Sequence, residues 1–431
     1  MTRSFYNYSV HANILPASYA RSALISAFRW FRPGSNQPMR LRQAPMGKNG
    51  RLLWYNSGMT SLSEIFGQEA AVSALRRALA SNSLPGTYLF VGTPGVGKGG
   101  LAKAFARAAA CTSPLLEPFD GCGECESCRR AVSGAHPEVL VIQPAGDQMQ
   151  IWQFWDRDSR STPGILSRTL QYAPATGRKR VYILERADTL TESAANSLLK
   201  VLEEPPPYAL FILLAPHPGR VLPTLVSRSQ MVWVRAVPLE DLTTYLRNIR
   251  GQEADRASML AAYSEGRVGQ AIQMAVNPSV GEEIGRVLDF AEGVPEAPRV
   301  RALRIAEQMR KLSGQIKALV GEEPSSEAGP AEEGDGPASG GKERIGRRQL
   351  AAIFDLMVAF YRDLLSLSVG GAAARHIINR ERKEKLVRLS RAGKPDRWVR
   401  CLDALLLARR RLDANANIAL LTEVLAMALV E

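Results

Sequence analysis

The chain has 431 residues, enough for two or three domains of ordinary size and a large buried core. Hydrophobic residues make up 45% of it and charged residues 23%, ordinary proportions for a globular protein, and no apolar run approaches the ~20 residues of a membrane-spanning helix. The net charge of +13 is a poor pointer to nucleic acid, because eight basic residues (Arg3, Arg21, Arg29, Arg32, Arg40, Arg42, Lys48 and Arg51) precede the first acidic one, Glu64, and the rest of the chain holds 47 basic residues against 42 acidic.

Residues 1–58 have no sustained helical or strand period. Their Arg- and Ser-rich, acid-free composition fits a transit peptide, a disordered arm, or an extension ahead of a true start at Met59. The first domain is expected to open there. From Leu62 the pattern turns helical, with Ala71, Val72, Leu75, Ala78 and Leu79 facing one way.

Thr87-Tyr-Leu-Phe-Val is a buried strand, followed by Gly92-Thr-Pro-Gly95-Val-Gly97-Lys98 and a helix from Leu101 to Ala110. Strand, glycine loop, lysine and helix in this order make a P-loop. The glycines let backbone N–H groups and the helix N-terminus face phosphate, and the lysine reaches the outer phosphates. The next residue should be Ser or Thr, whose hydroxyl ligates Mg²⁺. Gly99 stands there, so the cradle is kept and the metal ligand is lost.

Cys111 and Cys122-Gly-Glu-Cys125-Glu-Ser-Cys128 put four of the five cysteines within 18 residues. Thiolates at this spacing can wrap one tetrahedral Zn²⁺ in a closed, structural site; the alternative is unpaired or disulfide-bonded cysteines. Cys401, in a Leu-rich helical stretch, reads as a small core residue.

His136 begins a stretch that runs into another buried strand, and it reads as a loop residue beside Pro137. Trp152, Phe154 and Trp155 are expected to pack on a sheet and not to stack on bases. Arg178-Lys179-Arg180 reads as a solvated turn, with DNA or phosphate contact as the alternative. Val181-Tyr-Ile-Leu184 is a strand ending in charge, Glu185-Arg186-Ala-Asp188. A helix follows at once, with Ala195, Leu198, Leu199 and Leu202 on one face, and Pro205 to Pro207 stop it. Acid at the tip of a buried strand is the Walker B arrangement, with Glu185 placed for Mg²⁺. Arg186 occupies the position of the glutamate that orients attacking water, and an arginine cannot act as that base. The next strand, Phe211 to Ala215, should end in a polar γ-phosphate sensor and meets Pro216. With Gly99, Arg186 and Pro216 in place of three catalytic elements, no working ATPase is expected.

Met231 to Val237 is the last predicted strand, and helices run from Pro238 to Val320. Residues 321–344 are Gly-, Pro-, Ser- and Glu-rich and read as a disordered linker. Residues 345–431 are helical again, with apolar stripes that point to packing.

The run Ala195-Asn-Ser-Leu-Leu-Lys-Val-Leu-Glu-Glu-Pro-Pro resembles the segment shared by bacterial DNA polymerase III clamp-loader subunits, the gamma/tau ATPases and their delta-prime relatives. Ile65-Phe-Gly67-Gln68 is similar to the adenine-side entry motif of AAA+ modules, and the cysteine cluster to the zinc module that follows the P-loop helix in these subunits. Ser264, Gly266, Gly269 and Ala271 fit the lid-domain pattern, while Phe360-Tyr-Arg-Asp363 and Arg411 to Asn417 resemble the collar of delta-prime subunits.

The resemblance covers about residues 62–431. It implies an AAA+ P-loop domain with a five-stranded parallel sheet and inserted zinc module (59–237), a helical lid and connecting helices (238–320), the linker, and an all-α collar (345–431). Leu222-Pro-Thr-Leu-Val-Ser227-Arg228-Ser229 resembles the family's Pro-Thr-Ile-Arg-Ser-Arg-Cys segment, whose last arginine enters the ATP site of a neighbouring subunit. Arg228 is then a finger acting in trans, with a surface arginine capping a turn as the plain alternative.

Taken together, the resemblance implies a delta-prime-type subunit that does not hydrolyse ATP. It would sit with gamma/tau and delta in a cytoplasmic hetero-pentamer that loads the sliding clamp on primed DNA, as part of the DNA-directed DNA polymerase holoenzyme. Zn²⁺ on Cys111, Cys122, Cys125 and Cys128 is the expected cofactor. ATP or ADP would bind weakly or not at all through Gly92, Gly95, Gly97, Lys98 and Glu185. The alternative is a divergent gamma/tau-type ATPase motor, from which the missing Ser/Thr and the missing Asp-Glu pair separate it.

Overall fold

The computed structural model describes residues 61–430, apart from 82–83, 147, 157–163, 318, 320–338 and 371–376, and only the backbone of 339–345. The readings for residues 1–58 and for most of the linker lie outside the described residues.

After α1 (Glu69–Ala80), β1 (Thr87–Val91) is buried along its whole length and leads through the glycine loop into α2 (Lys98–Ala110). A two-stranded hairpin, β2 (Leu115–Leu116) and β3 (Phe119–Asp120), and α3 (Glu126–Val132) carry the cysteines. The main sheet then continues through β4 (Val139–Ile142), α4 (Ile165–Thr169), β5 (Arg180–Leu184), α5 (Glu192–Glu203), β6 (Ala209–Ala215), α6 (Pro223–Val226) and β7 (Gln230–Trp233). Its order is β4-β5-β6-β1-β7, with every pairing parallel. This is the expected five-stranded parallel sheet. Helices cover both faces, which is why its strands read as unbroken apolar runs.

Side chains alternate between two cores. Phe90, Phe105, Ile183 and Ile212 fill one with Val72 and Leu75 of α1. Leu89, Tyr182, Phe211 and Leu213 fill the other with Phe154 and Leu198. Phe154 and Trp155 therefore serve packing, as expected, and the Trp155 indole N–H donates to Ser197 Oγ at 3.1 Å.

Two elements depart from the sequence reading. A 3-10 turn at Ala187–Thr189 delays α5, which starts at Glu192 because Thr191 caps it, its Oγ1 accepting from the Ala194 N–H at 3.3 Å. The last strand ends at Trp233, not Val237, because its partner β1 ends at Val91. Beyond it the Gln68 side chain takes over the ladder, donating to the Arg235 carbonyl at 2.6 Å and accepting the Arg235 N–H at 3.1 Å.

Helices α7 (Leu239–Asn248), α8 (Ala254–Ser264) and α9 (Val268–Val276) form the lid. α10 (Val280–Gly293) and α11 (Ala302–Gln315) pack on α12 (Ser339–Val369), and α13 (Lys383–Ala392), α14 (Pro395–Asp413) and α15 (Ile418–Leu429) complete the bundle. α12 begins inside the stretch read as linker. One apolar core runs from Val237 through the lid to Val430 and includes Cys401. At the seam, the fully buried Asp363 accepts N–H groups from Ile378, Asn379 and the Asn379 side chain at 3.1, 2.8 and 2.7 Å, while Asn379 accepts the Tyr263 hydroxyl of α8. Among the described residues no helix is long and apolar enough to cross a membrane.

Candidate functional site

The P-loop glycines are required for two different reasons. Gly95 and Gly97 have φ of +82° and +110°, where side chains are rarely tolerated. At Gly92 a Cβ would lie 2.2 Å from the Val234 carbonyl oxygen. Lys98 turns back on the loop and donates to the Gly92 and Thr93 carbonyls at 2.5 and 3.1 Å, which leaves its third N–H without a partner among the described residues. Burial lowers its pKa to about 8 against the opposing pull of Asp188. Gly92, Gly95, Gly97 and Lys98 thus converge in a loop with the donors a phosphate needs. At Gly99 a Cβ would meet nothing within 4 Å, so the space for a metal-ligating hydroxyl exists without the hydroxyl.

The lid closes directly on this loop. The Gln270 N–H donates to the Gly95 carbonyl at 2.9 Å, and a Cβ on the preceding Gly269 would lie 2.8 Å from that same oxygen. Gly266, with φ +78°, clears the Val237 carbonyl in the same way. These contacts account for the glycine spacing of the lid pattern.

On the acidic side, Glu185 lies at the tip of β5 and accepts from Gln143 Nε2 at 3.0 Å. The carboxylate whose charge acts on Lys98 is that of Asp188, in the following 3-10 turn, and its buried Oδ1 accepts no hydrogen bond among the described residues. Sequence reasoning singled out Glu185 and passed over Asp188, although the Glu-Arg-Ala-Asp run carried both. Arg186 is exposed with φ +58°, and Pro216 directly follows β6.

Arg228 lies just beyond α6 with about a third of its side chain exposed. Nε donates to Glu203 Oε1 at 2.6 Å, Nη2 pairs with the same oxygen, and Nη1 donates to the Thr224 carbonyl at 3.0 Å and Ser227 Oγ at 3.4 Å.

Arg180 is neither solvated nor available to phosphate. It is buried, its Nε donates to Glu138 Oε2 at 2.6 Å, and its Nη1 reaches the Tyr172 carbonyl at 2.6 Å. Burial works against the Glu138 charge, but the Arg180 hydrogen bond and backbone N–H groups outweigh it and hold that carboxyl below its ordinary range.

The four cysteines come from the end of α2, the loop after β3, and α3. Their sulfurs all lie within 4.8 Å of one another, with Cys111 Sγ 3.6 Å from Cys122 Sγ and 3.8 Å from Cys125 Sγ. A tetrahedral ion with ~2.3 Å bonds to sulfur needs sulfurs about 3.8 Å apart. The N–H groups of Cys122, Cys125 and Cys128 point at the sulfurs of Cys111, Cys122 and Cys125 at 3.4, 3.3 and 3.4 Å, as thiolates require. Burial pushes the Cys111 and Cys128 thiols up. At Cys125 burial is outweighed by hydrogen bonds from Thr112 and the Cys128 backbone, which bring it down to about 5. None of the four is in a disulfide. This cluster could hold a metal ion such as zinc.

His136 is not a ligand. It is buried, its Nδ1 accepts the Glu138 N–H at 3.1 Å, and its Nε2 lies 2.8 Å from Ser127 Oγ, tying α3 to the sheet. With Nδ1 an acceptor, the ring is neutral and Nε2 carries the proton.

Residues 67–238 match the family described as "DNA polymerase III, delta subunit". The chain is 32% identical over 193 residues to DNA polymerase III subunit tau/gamma of Haemophilus influenzae, an overlap of 45% of this chain and 26% of that protein. It is 28% identical over 271 residues to DNA polymerase III subunit tau of Escherichia coli, covering 61% and 40% of the two. It is 25% identical over 365 residues to DNA polymerase III subunit delta' of Bacillus subtilis, covering 84% of this chain and 96% of that protein. The chain thus spans less than half the length of these tau relatives and nearly all of that delta' subunit. The chain is thus similar both to gamma/tau and to delta' subunits of DNA polymerase III.

Proposed function

We propose that the chain is a delta-prime-type subunit, a scaffold without ATPase activity in a cytoplasmic hetero-pentamer with gamma/tau-type and delta subunits. The complex would place the sliding clamp on primer-template DNA. The observation that carries this is the state of the nucleotide site. The loop that would cradle phosphate is intact, while Gly99, Arg186 and Pro216 stand where the metal ligand, the water-orienting acid and the sensor belong. Zn²⁺ on Cys111, Cys122, Cys125 and Cys128 would hold the insert together. If nucleotide binds, Gly92 to Lys98 would take its phosphates, with no hydroxyl for Mg²⁺ at position 99.

Arg228 would act as a finger in the neighbouring subunit's ATP site, where a guanidinium supplied in trans stabilises charge on the transferring phosphoryl group. Its partial exposure beside Ser227 supports this reading. Arg228→Ala in the full complex should leave folding, metal content and assembly unchanged. It should lower DNA- and clamp-stimulated hydrolysis by the share of one site and slow clamp loading more than that. Arg228→Lys should rescue poorly, since an ammonium lacks the planar fork, and Arg220→Ala is the control. Wild-type loading by Arg228→Ala, with assembly confirmed, would overturn the role.

The higher identity of the H. influenzae tau/gamma match favours a second reading, a divergent gamma/tau-type motor. Steady ATP turnover by the isolated chain, abolished by Lys98→Ala, would establish it.

A further inference from the structure

We infer that Glu203 is a positioning residue for Arg228, fixing the plane of its guanidinium so that the outer N–H of Nη2 is kept for a neighbour's phosphate. The inference rests on the reading of Arg228 as a finger.

A guanidinium offers two edges, Nε with one Nη and the two Nη together, and each matches an oxyanion. Glu203 takes the first edge, with Nε and Nη2 both on its Oε1. Nη1 is steadied by the Thr224 carbonyl and Ser227 Oγ. Three nitrogens are therefore referenced to two elements, α5 and α6, and the outer N–H of Nη2 is left over.

The backbone that carries Glu203 is held in place. Glu203 is the last residue of α5, and just beyond it Pro205 packs on Gly86, where a Cβ would come within 2.2 Å of the proline ring. A carboxylate at a helix C-terminus is on the wrong side of the macrodipole. The local helix gives no reason for an acid there, and the cation 25 residues further on supplies one.

Both side chains are partly exposed, 34% for Arg228 and 47% for Glu203, so the pair is too weak to trap the arginine. Its effect is to remove the rotamer freedom that a long side chain would otherwise lose each time it meets phosphate.

The test uses the full chain assembled with gamma/tau-type and delta subunits, clamp, primed DNA and ATP. Glu203→Ala should lower the loading rate by up to about fivefold, the range that an exposed pair of up to about 1 kcal/mol permits, and stimulated kcat by no more than Arg228→Ala lowers it. KM for ATP, assembly, metal content and melting should not change. Glu203→Gln keeps an oxygen for the Nε–H and should recover at least half of the loss. In an Arg228→Ala background, Glu203→Ala should do nothing more. A defective Arg228→Ala beside a wild-type Glu203→Ala would overturn the positioning role alone. A further loss in the double variant would also overturn it, by showing that Glu203 acts elsewhere. A wild-type Arg228→Ala would overturn the finger and the positioning role with it.

Discussion

Two glycines allow the seal between lid and P-loop to be measured. Gly269 and Gly281 are each the second residue of a helix, α9 and α10, and each follows a valine. A Cβ at Gly281 would meet nothing within 4 Å, whereas at Gly269 it would lie 2.8 Å from the Gly95 carbonyl oxygen and 3.4 Å from the Gly97 nitrogen. Both neighbours are backbone and cannot rotate away. Reaching an ordinary 3.4 Å contact requires the lid to retreat by roughly 0.6 Å, and the adjacent Gln270–Gly95 bond, now 2.9 Å, would be stretched past useful length. Overpacking of about 1–3 kcal/mol and the loss of a bond worth about 1 kcal/mol outweigh the gain of about 0.4–1 kcal/mol from removing a glycine. Gly269→Ala should therefore destabilise by about 1–3 kcal/mol, and Gly281→Ala should stabilise by about 0.4–1 kcal/mol. Urea unfolding followed by tryptophan fluorescence measures both. If Gly269→Ala proved as stable as Gly281→Ala, the lid would not seat on the P-loop as described.

The isolated chain should hydrolyse no ATP, and any ADP it binds should be held less tightly as pH rises from 7 to 9. Lys98 loses its charge above about 8, so the fall is at most about tenfold, and a flat profile would remove Lys98 from phosphate binding. Protein purified under reducing conditions should carry one zinc per chain by elemental analysis. Cys125→Ser should lose it and unfold the insert, because closed sites of this kind contribute on the order of 10–16 kcal/mol in small peptides; stoichiometric zinc in that variant would remove Cys125 from the ligand set.

What could be read from sequence depended on whether the decisive contacts were local. The parallel strands were legible as apolar runs, the P-loop by its glycine spacing, and the cysteine cluster because all its members lie within 18 residues. Arg180 misled because its partner Glu138 is 42 residues away, just ahead of the neighbouring strand β4. Asp188 was passed over because the 3-10 turn after β5, which carries it, interrupts the expected strand-to-helix step. The Glu203–Arg228 pair and the Gly269 approach join elements that no periodicity links. α12 starts at Ser339 in a Ser-Gly-Gly stretch of poor helix formers, so local propensity argued against it.

The order of the main sheet also dictates when it can be completed during synthesis. β1 lies between β6 and β7, and its first residue Thr87 pairs with Phe211, 124 positions later. At ribosomal speeds of about 5–20 residues per second, Thr87-Tyr-Leu-Phe-Val must wait roughly 6–25 s for its first partner. Such an apolar strand, unpaired for that long, is a template for wrong pairing. The cysteine hairpin and α3 close over short distances and can form in that interval. A chaperone that shields β1 in that interval would act before the sheet can close.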